Sequence, residues 1–301
     1  MSELEKYLRG ELGEGKATLP EVLTPEILKG WREKPHGVRI ETTNRCNAKC
    51  LFCGHPYMKR KKGNMTQKLF KKIVDDCREW NPKLVKPYLH GELFQDPKWK
   101  KRLEYIDKRL KSPIYIETNG TGLDQDAIDF LLNLQHISTI AINFSGSDPK
   151  SYKKVMGLDY QTIVDNINNL IDTCRTRARF INIHPIMVTT AKYQTVRNGR
   201  QFRNLWGPLS HTNMFFNYGG VLGERGILHT DYCQGLHEIC VLRDGKVALC
   251  WMDLEGAEIL GDANKESLLD IWNSDRAIEI RELHKQGKRD QIDICNRCDF
   301  C

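Results

Sequence analysis

A chain of 301 residues, 40% hydrophobic and 28% charged, can bury a substantial core as one large domain or as a domain with an appended module. Its first residues, Met1 to Arg9, are strongly charged and no apolar run reaches membrane length, so the sequence predicts a cytoplasmic protein without a leader or spanning helix. A net charge of +7 is only mildly basic and argues against a dedicated nucleic-acid binder.

Residues 1–36 read as an amino-terminal helical extension, with helical runs at Glu3–Leu12 and Pro25–Trp31 separated by Gly/Pro breaks. From residue 37 short β-branched runs alternate with longer amphipathic stretches. The predicted strands are Val38–Thr42, Val85–His90, Ile114–Thr118, Thr139–Phe144, Phe180–Val188 and Met214–Tyr218. Helices are predicted between them at Gln67–Trp80, Pro97–Lys111, Gln125–Leu134 and Tyr160–Thr176, while Tyr193–Leu205 is more polar and less clearly helical. Such alternation implies right-handed βαβ units and a parallel sheet. Six units are too few for a closed eight-stranded barrel, so the fold expected over residues 37–225 is an α/β partial (β/α)6 TIM-like barrel. Ligands then collect at the carboxyl ends of its strands.

After about residue 226 this rhythm is lost, and residues 226–301 read as a small cysteine-rich module. Asp244-Gly245 is placed as the tight turn of a hairpin running from Cys240 to Cys250. Helices are expected at Leu268–Asn273 and Ala277–Gln286.

The eleven cysteines cluster, which points to metal ligation in a reducing compartment rather than to disulfides. Cys46, Cys50 and Cys53 form a C-x3-C-x2-C loop, with Phe52 before the last, directly after the first predicted strand. Four thiolates saturate a cubane iron–sulfur cluster, so three leave one iron open for chemistry. The alternatives are a metal-free turn or a zinc loop completed by His55. Cys77 and Cys174 fall on amphipathic helices and read as small buried hydrophobes. Lys59–Lys62 reads as a solvated turn, with docking of an acidic electron donor or steering of a phosphorylated substrate as functional alternatives.

The cysteine loop resembles the signature of the radical S-adenosylmethionine (SAM) enzymes, and the resemblance extends over residues 37–301. It implies a SAM-binding [4Fe–4S] cluster on Cys46, Cys50 and Cys53. The tail is similar to the SPASM/twitch extension: Cys233, then Gly245-x4-Cys250, then Cys295-x2-Cys298. That implies one auxiliary [4Fe–4S] cluster on Cys233, Cys250, Cys295 and Cys298, with Cys240 and Cys301 as alternates or as thiols at the site. A zinc ribbon is the competing reading of the same spacing. The resemblance further implies SAM contacts from Phe52, from Gly91 and Glu92 in Tyr88-Leu-His-Gly-Glu92, and from Thr118 and Asn119 in Thr118-Asn119-Gly120. It extends to Asn143 and Ser145, which end the fourth strand. His90 departs from the family's Gly-Gly-Glu motif by replacing its first glycine. His184 interrupts the fifth strand and reads first as a structural histidine.

What the resemblance implies is reductive cleavage of SAM to a 5′-deoxyadenosyl radical, fed by a flavodoxin- or ferredoxin-type donor, and removal of a substrate hydrogen atom. The outcome expected is oxidation or epimerisation of a small molecule such as a sugar, cyclitol or nucleotide sugar, with Cys240 or Cys301 as the hydrogen donor in the second case. The alternatives are a peptide- or macromolecule-modifying maturase and, in another class, a non-catalytic zinc-binding module.

Overall fold

The structure, a computed structural model, describes residues 33–189, 196–214, 216–223 and 233–300. The predicted amino-terminal helices and Cys301 therefore lie outside the described residues. The chain forms two compact units. One takes the described residues of Pro20–Cys46, Gly54–Ile114 and Phe216–Cys301, and the other takes those of Asn47–Cys53 and Tyr115–Phe215.

The first unit, the β1 unit, contains β1 (Gly37–Ile40), α1 (Gln67–Cys77), β2 (Leu84–Lys86) and α2 (Trp99–Arg109). β3 (Ile114–Thr118) starts here, where Ile114 pairs with Val85. Thr66 caps α1 by accepting from the Leu69 N–H, and Leu69, Phe70, Ile73, Val74 and Cys77 form its buried stripe. β1 and β2 are parallel and in register, Val38 opposite Val85 and Arg39 opposite Lys86.

The second unit, the β4 unit, contains the rest of β3, then α3 (Gln125–Asn133), β4 (Ile137–Asn143), α4 (Pro149–Met156), α5 (Tyr160–Thr176), β5 (Asn182–Thr189), α6 (Val196–Trp206) and β6 (His211–Met214). β4, β5 and β6 are parallel neighbours. α4 was not expected, because the sequence reading allowed one helix per crossover and gave it to α5. Its signals are short but specific. The Asp148 carboxylate accepts from the Ser151 N–H in a capping box, and Gly157 closes the helix at φ +74°. The polar fifth connection also carries a helix, α6, and the sixth strand begins three residues earlier than expected.

The carboxy-terminal part of the β1 unit contributes β7 (Glu238–Val241), β8 (Lys246–Ala248), β9 (Ile259–Asp262), α7 (Leu268–Trp272), α8 (Asp275–Lys285) and α9 (Asp293–Arg297). β7 and β8 form the expected hairpin, with Gly245 at φ +95° in its turn. A β-carbon there would overlap the Asn264 amide, so the turn needs glycine twice over. Sequence patterning gave no sign that β7 also pairs with β1, in parallel, Arg39 opposite Cys240.

A buried carboxylate joins these pieces. Glu41, just past β1 and fully buried, accepts two hydrogen bonds from Arg60, at 2.8 and 2.7 Å, and one from the Arg243 N–H at 3.0 Å. Its Oε1 lies 3.2 Å from His90 Nδ1, whose Nε2 donates to the Trp251 carbonyl at 2.9 Å. Arg60 Nε reaches the Leu254 carbonyl as well. The basic run at Lys59–Lys62 is thus not wholly a solvated turn, since Arg60 points inward. Burial would raise the Glu41 pKa, but the hydrogen bonds from Arg60 and His90 outweigh it and hold the carboxyl at about 2.

Arg60→Ala leaves that carboxylate buried without its main partner and should cost about 3–5 kcal/mol, read from urea unfolding at neutral pH under anaerobic conditions. The pairing stabilises fully above the ordinary carboxyl pKa of 4.5 and fades as pH falls towards 2. Glu41→Gln should therefore flatten the acid limb of stability against pH. An acid limb as steep as the wild type's would remove Glu41 from the account.

Candidate functional site

The two halves of the cysteine loop are anchored separately. Cys46 belongs to the β1 unit, and the residues ahead of it are tightly fixed. The Asn44 side chain donates to the Lys61 carbonyl and accepts from the Gly63 N–H at 2.7 Å. Thr43 Oγ1 bonds Asn64, and His55 Nε2 donates to the Asn44 carbonyl at 3.0 Å. His55 is buried, and burial lowers its pKa. His55 Nε2 is thus committed to the backbone.

Gly91 and Glu92 sit against the same stretch. A β-carbon on Gly91 would overlap the Thr43 carbonyl and stand 2.9 Å from both the Arg45 carbonyl and Asn44 Cα. Only glycine fits. The Glu92 N–H donates to the Arg45 carbonyl at 2.8 Å, and its buried carboxylate accepts from the Phe94 N–H at 3.3 Å. The Gly-Glu pair is thus packed on the residues leading into Cys46. His90, where the family has glycine, points away into the Glu41 network.

Cys50 and Cys53 belong to the β4 unit, with the buried Phe52 between them. The Lys49 and Leu51 N–H groups donate to the Met156 and Val155 carbonyls at the end of α4, and Cys50 Sγ lies 3.6 Å from Met156 Sδ. The unexpected helix is therefore the support of the loop. Asn119 donates to Asn47 Oδ1 at 2.7 Å, and Asn47 donates to Thr121 at 2.9 Å, which ties the Thr118-Asn119-Gly120 segment to the same loop. Thr118 Oγ1 accepts from the Gly120 N–H.

The remaining candidates of this unit separate. Asn143 donates to Glu117 at 2.8 Å on the strand surface. Ser145 is fully buried and its Oγ accepts from the Val188 N–H, so the hydroxyl joins the end of β4 to β5. His184 lies edge-on to His211 at 4.0 Å between ring centres, and burial lowers its pKa to about 4, leaving it neutral. Cys77 and Cys174 are buried on helix faces as expected, and burial raises both thiol pKa values.

In the β1 unit, Cys233, Cys250, Cys295 and Cys298 fall into one buried cluster with Leu236, Leu249, Met252, Ile280, Ile292 and Ile294. Gly235 packs so closely that a β-carbon there would stand 3.0 Å from Cys250 Cβ and 3.4 Å from Cys233 Sγ. His284 Nε2 lies 3.4 Å from Cys295 Sγ, and the Phe300 N–H donates to Cys298 Sγ at 3.4 Å. Burial raises the Cys250 thiol pKa, and neighbouring Cys295 raises it further. Four thiolates in one apolar shell would be uncompensated without a shared cation, and a cubane offers one iron to each. This donor set fits such a cluster. Among the described residues no three side chains converge tightly enough for a single metal ion. Cys240 packs outside this cluster but is near enough to raise the Cys250 thiol as well. It is fully buried on β7 beside Arg39, and burial pushes its thiol up to about 12. His284 escaped the sequence reading, since a histidine on a short helix with little apolar periodicity carries no signal without the fold.

Comparison with known proteins fits this arrangement. The model of the Radical SAM superfamily matches residues 40–187, and that of SPASM, an iron–sulfur cluster-binding domain, matches residues 233–299. The S-adenosyl-L-methionine-dependent 2-deoxy-scyllo-inosamine dehydrogenase of Niallia circulans is 22% identical over 281 residues, which is 87% of this chain and 92% of that protein. Among solved structures, BtrN in complex with AdoMet and 2-DOIA superposes with a TM-score of 0.66 at 16% identity, covering 88% of this chain and 93% of that one. Streptococcus suis SuiB bound to precursor peptide SuiA gives 0.67 at 14% identity, over 89% and 70%. These likenesses show the fold, a partial TIM-like barrel followed by a small cysteine-rich module. The matched domains imply [4Fe–4S] clusters and SAM as cofactors. Motif, fold and family models agree, and the chain belongs to the radical SAM superfamily with a carboxy-terminal SPASM domain.

Proposed function

We propose that this protein is a radical SAM dehydrogenase of a small hydroxylated molecule, such as a sugar or cyclitol. The observation that carries the reading is the grouping of Cys233, Cys250, Cys295 and Cys298 in one apolar shell among the described residues. Four protein thiolates leave no iron for a substrate, so the second site suits electron transfer rather than substrate ligation. The Niallia relative, itself named a dehydrogenase, supports the same direction.

Cys46, Cys50 and Cys53 would hold the first cluster and the four tail cysteines the second. When loaded, the first site would supply radical chemistry from SAM, and the second would supply an electron acceptor. The chain's own part is positioning. Gly91 keeps its backbone close to Thr43–Arg45, and Glu92 would supply a carboxylate to the SAM ammonium. Asn119 and Asn47 hold the loop around Cys50 in one orientation. The Cys240 thiol stays protonated at neutral pH, so an epimerase reading, in which it returns a hydrogen atom, has this residue as its donor. A peptide substrate is the second reading, favoured by the similarity to SuiB in its peptide-bound form.

Anaerobic reconstitution should give about eight irons per chain. Replacing Cys46, Cys50 and Cys53 together by alanine should remove about half of them and end 5′-deoxyadenosine release on reduction with SAM. A reconstituted wild-type protein that never cleaves SAM would sink the proposal. Turnover in deuterated water separates the outcomes: a two-electron oxidation without deuterium at the reacting carbon is expected, and incorporation there would replace dehydrogenation by epimerisation. Gly91→Ala should weaken SAM binding by about tenfold or more, measured by equilibrium dialysis, because its methyl group displaces the Thr43–Arg45 backbone. Unchanged affinity would take Gly91 out of the cofactor site.

A further inference from the structure

Parallel strands covered on both faces usually read as apolar throughout. β1, β2 and β7 do so on one face only. Val38, Val85 and Ile239 are at most 1% exposed. Alternate residues face the other way, and the register sets Arg39 beside Lys86 and Cys240, with Glu238 beside Gly37. That second face therefore carries two cations and one carboxylate in a largely buried setting. Glu238 is shared, Oε2 accepting from Arg39 Nε at 2.5 Å and Oε1 from Lys86 Nζ at 2.6 Å.

Arg39 is held firmly but not used up. Its guanidinium lies 4.3 Å from the centre of the Trp251 ring and 5.8 Å from that of Tyr88. Nε is committed to Glu238, whereas no hydrogen bond to Nη1 or Nη2 is found among the described residues. The side chain keeps 13% of its surface exposed. The deeply buried arginines of the same unit behave differently. Arg102, Arg281 and Arg289 each spend Nη2 on a backbone carbonyl, of Met65, Trp272 and Cys298 respectively. Each of these three turns one nitrogen of its fork to the backbone. Arg39 leaves its fork open, with orientation fixed from behind by a carboxylate and from the side by an indole.

An open, pre-oriented guanidinium matches a carboxylate or phosphate group through two parallel N–H···O bonds. Its place in the chain is also informative. Arg39 lies seven residues before Cys46, Tyr88 lies three before Gly91, and Trp251 follows Cys250 directly. The side chains that seat this guanidinium come from the segments that carry the cofactor motif and an auxiliary-cluster thiol.

We propose that Arg39, seated by Glu238 and Trp251 and supported by the charge of Lys86, binds an anionic oxyacid group, carboxylate or phosphate, of the substrate. This rests on the reading of the protein as a small-molecule enzyme and narrows its substrate class to molecules bearing such a group.

The test is calorimetric titration of the cluster-loaded protein, without SAM, with inorganic phosphate and separately with acetate at low ionic strength. One of the two anions should saturate. Arg39→Gln should weaken that binding by about tenfold or more, the worth of a charge-assisted hydrogen bond. Arg39→Lys, which keeps the charge and loses the fork, should fall between, and Lys59→Gln on the exposed basic run should bind like wild type. Saturation by phosphate alone assigns a phosphorylated substrate, and saturation by acetate alone a carboxylated one. If neither anion saturates, or if Arg39→Gln and Arg39→Lys both bind like wild type, the proposal is overturned. Because no turnover is read, a protein that binds the anion through Arg39 yet never cleaves SAM would sink the dehydrogenase and leave this site standing.

Discussion

The Glu41 carboxylate is the point on which the β1 unit depends. A single buried negative charge is stabilising only if its partners surround it, and each partner here comes from a different piece of chain. Arg60 belongs to the segment after the cysteine loop, His90 to the loop after β2, and the Arg243 amide to the turn of the tail hairpin. Removing any one strands the others. The end of β1, which launches the cysteine loop, is thereby fixed in position by electrostatics rather than by packing alone.

His90 shows why a departure from a family motif is worth following. A glycine at that position gives freedom to a loop that must wrap a cofactor. Here the freedom is traded for two hydrogen bonds, one to Glu41 and one to the Trp251 carbonyl next to Cys250. Gly91, the glycine that is kept, is the one whose β-carbon has no room. The pair divides the work: Gly91 gives close approach to Thr43–Arg45, and His90 ties its loop to the segment around Trp251.

The sequence was most informative where chemistry demands a fixed spacing or a repeating pattern. β3 and α5 match their predicted bounds, because their apolar periodicity is unbroken and clear breakers flank them. The four tail cysteines could be chosen from the family spacing, and they share one buried cluster. What stayed hidden was long-range. Nothing local indicates that Glu238 and Arg39, 199 residues apart, form an ion pair, or that Arg60 turns inward to meet Glu41. α4 was missed for a different reason: eight residues give too few turns for a period to show, and only its caps mark it. The bond from the Val188 N–H to the Ser145 hydroxyl, across 43 residues, was equally invisible in the sequence.

The parallel pairing of β7 with β1 bears on how the tail came to be attached. Without β7, the backbone N–H and C=O groups along one flank of β1 would be bare, a template for strand addition and aggregation. The tail is therefore not a detachable appendage that merely brings a second redox centre. It closes an otherwise sticky seam beside the strand that leads to the Cys46–Cys53 loop, and a chain cut before Cys233 would lose solubility along with its tail cysteines.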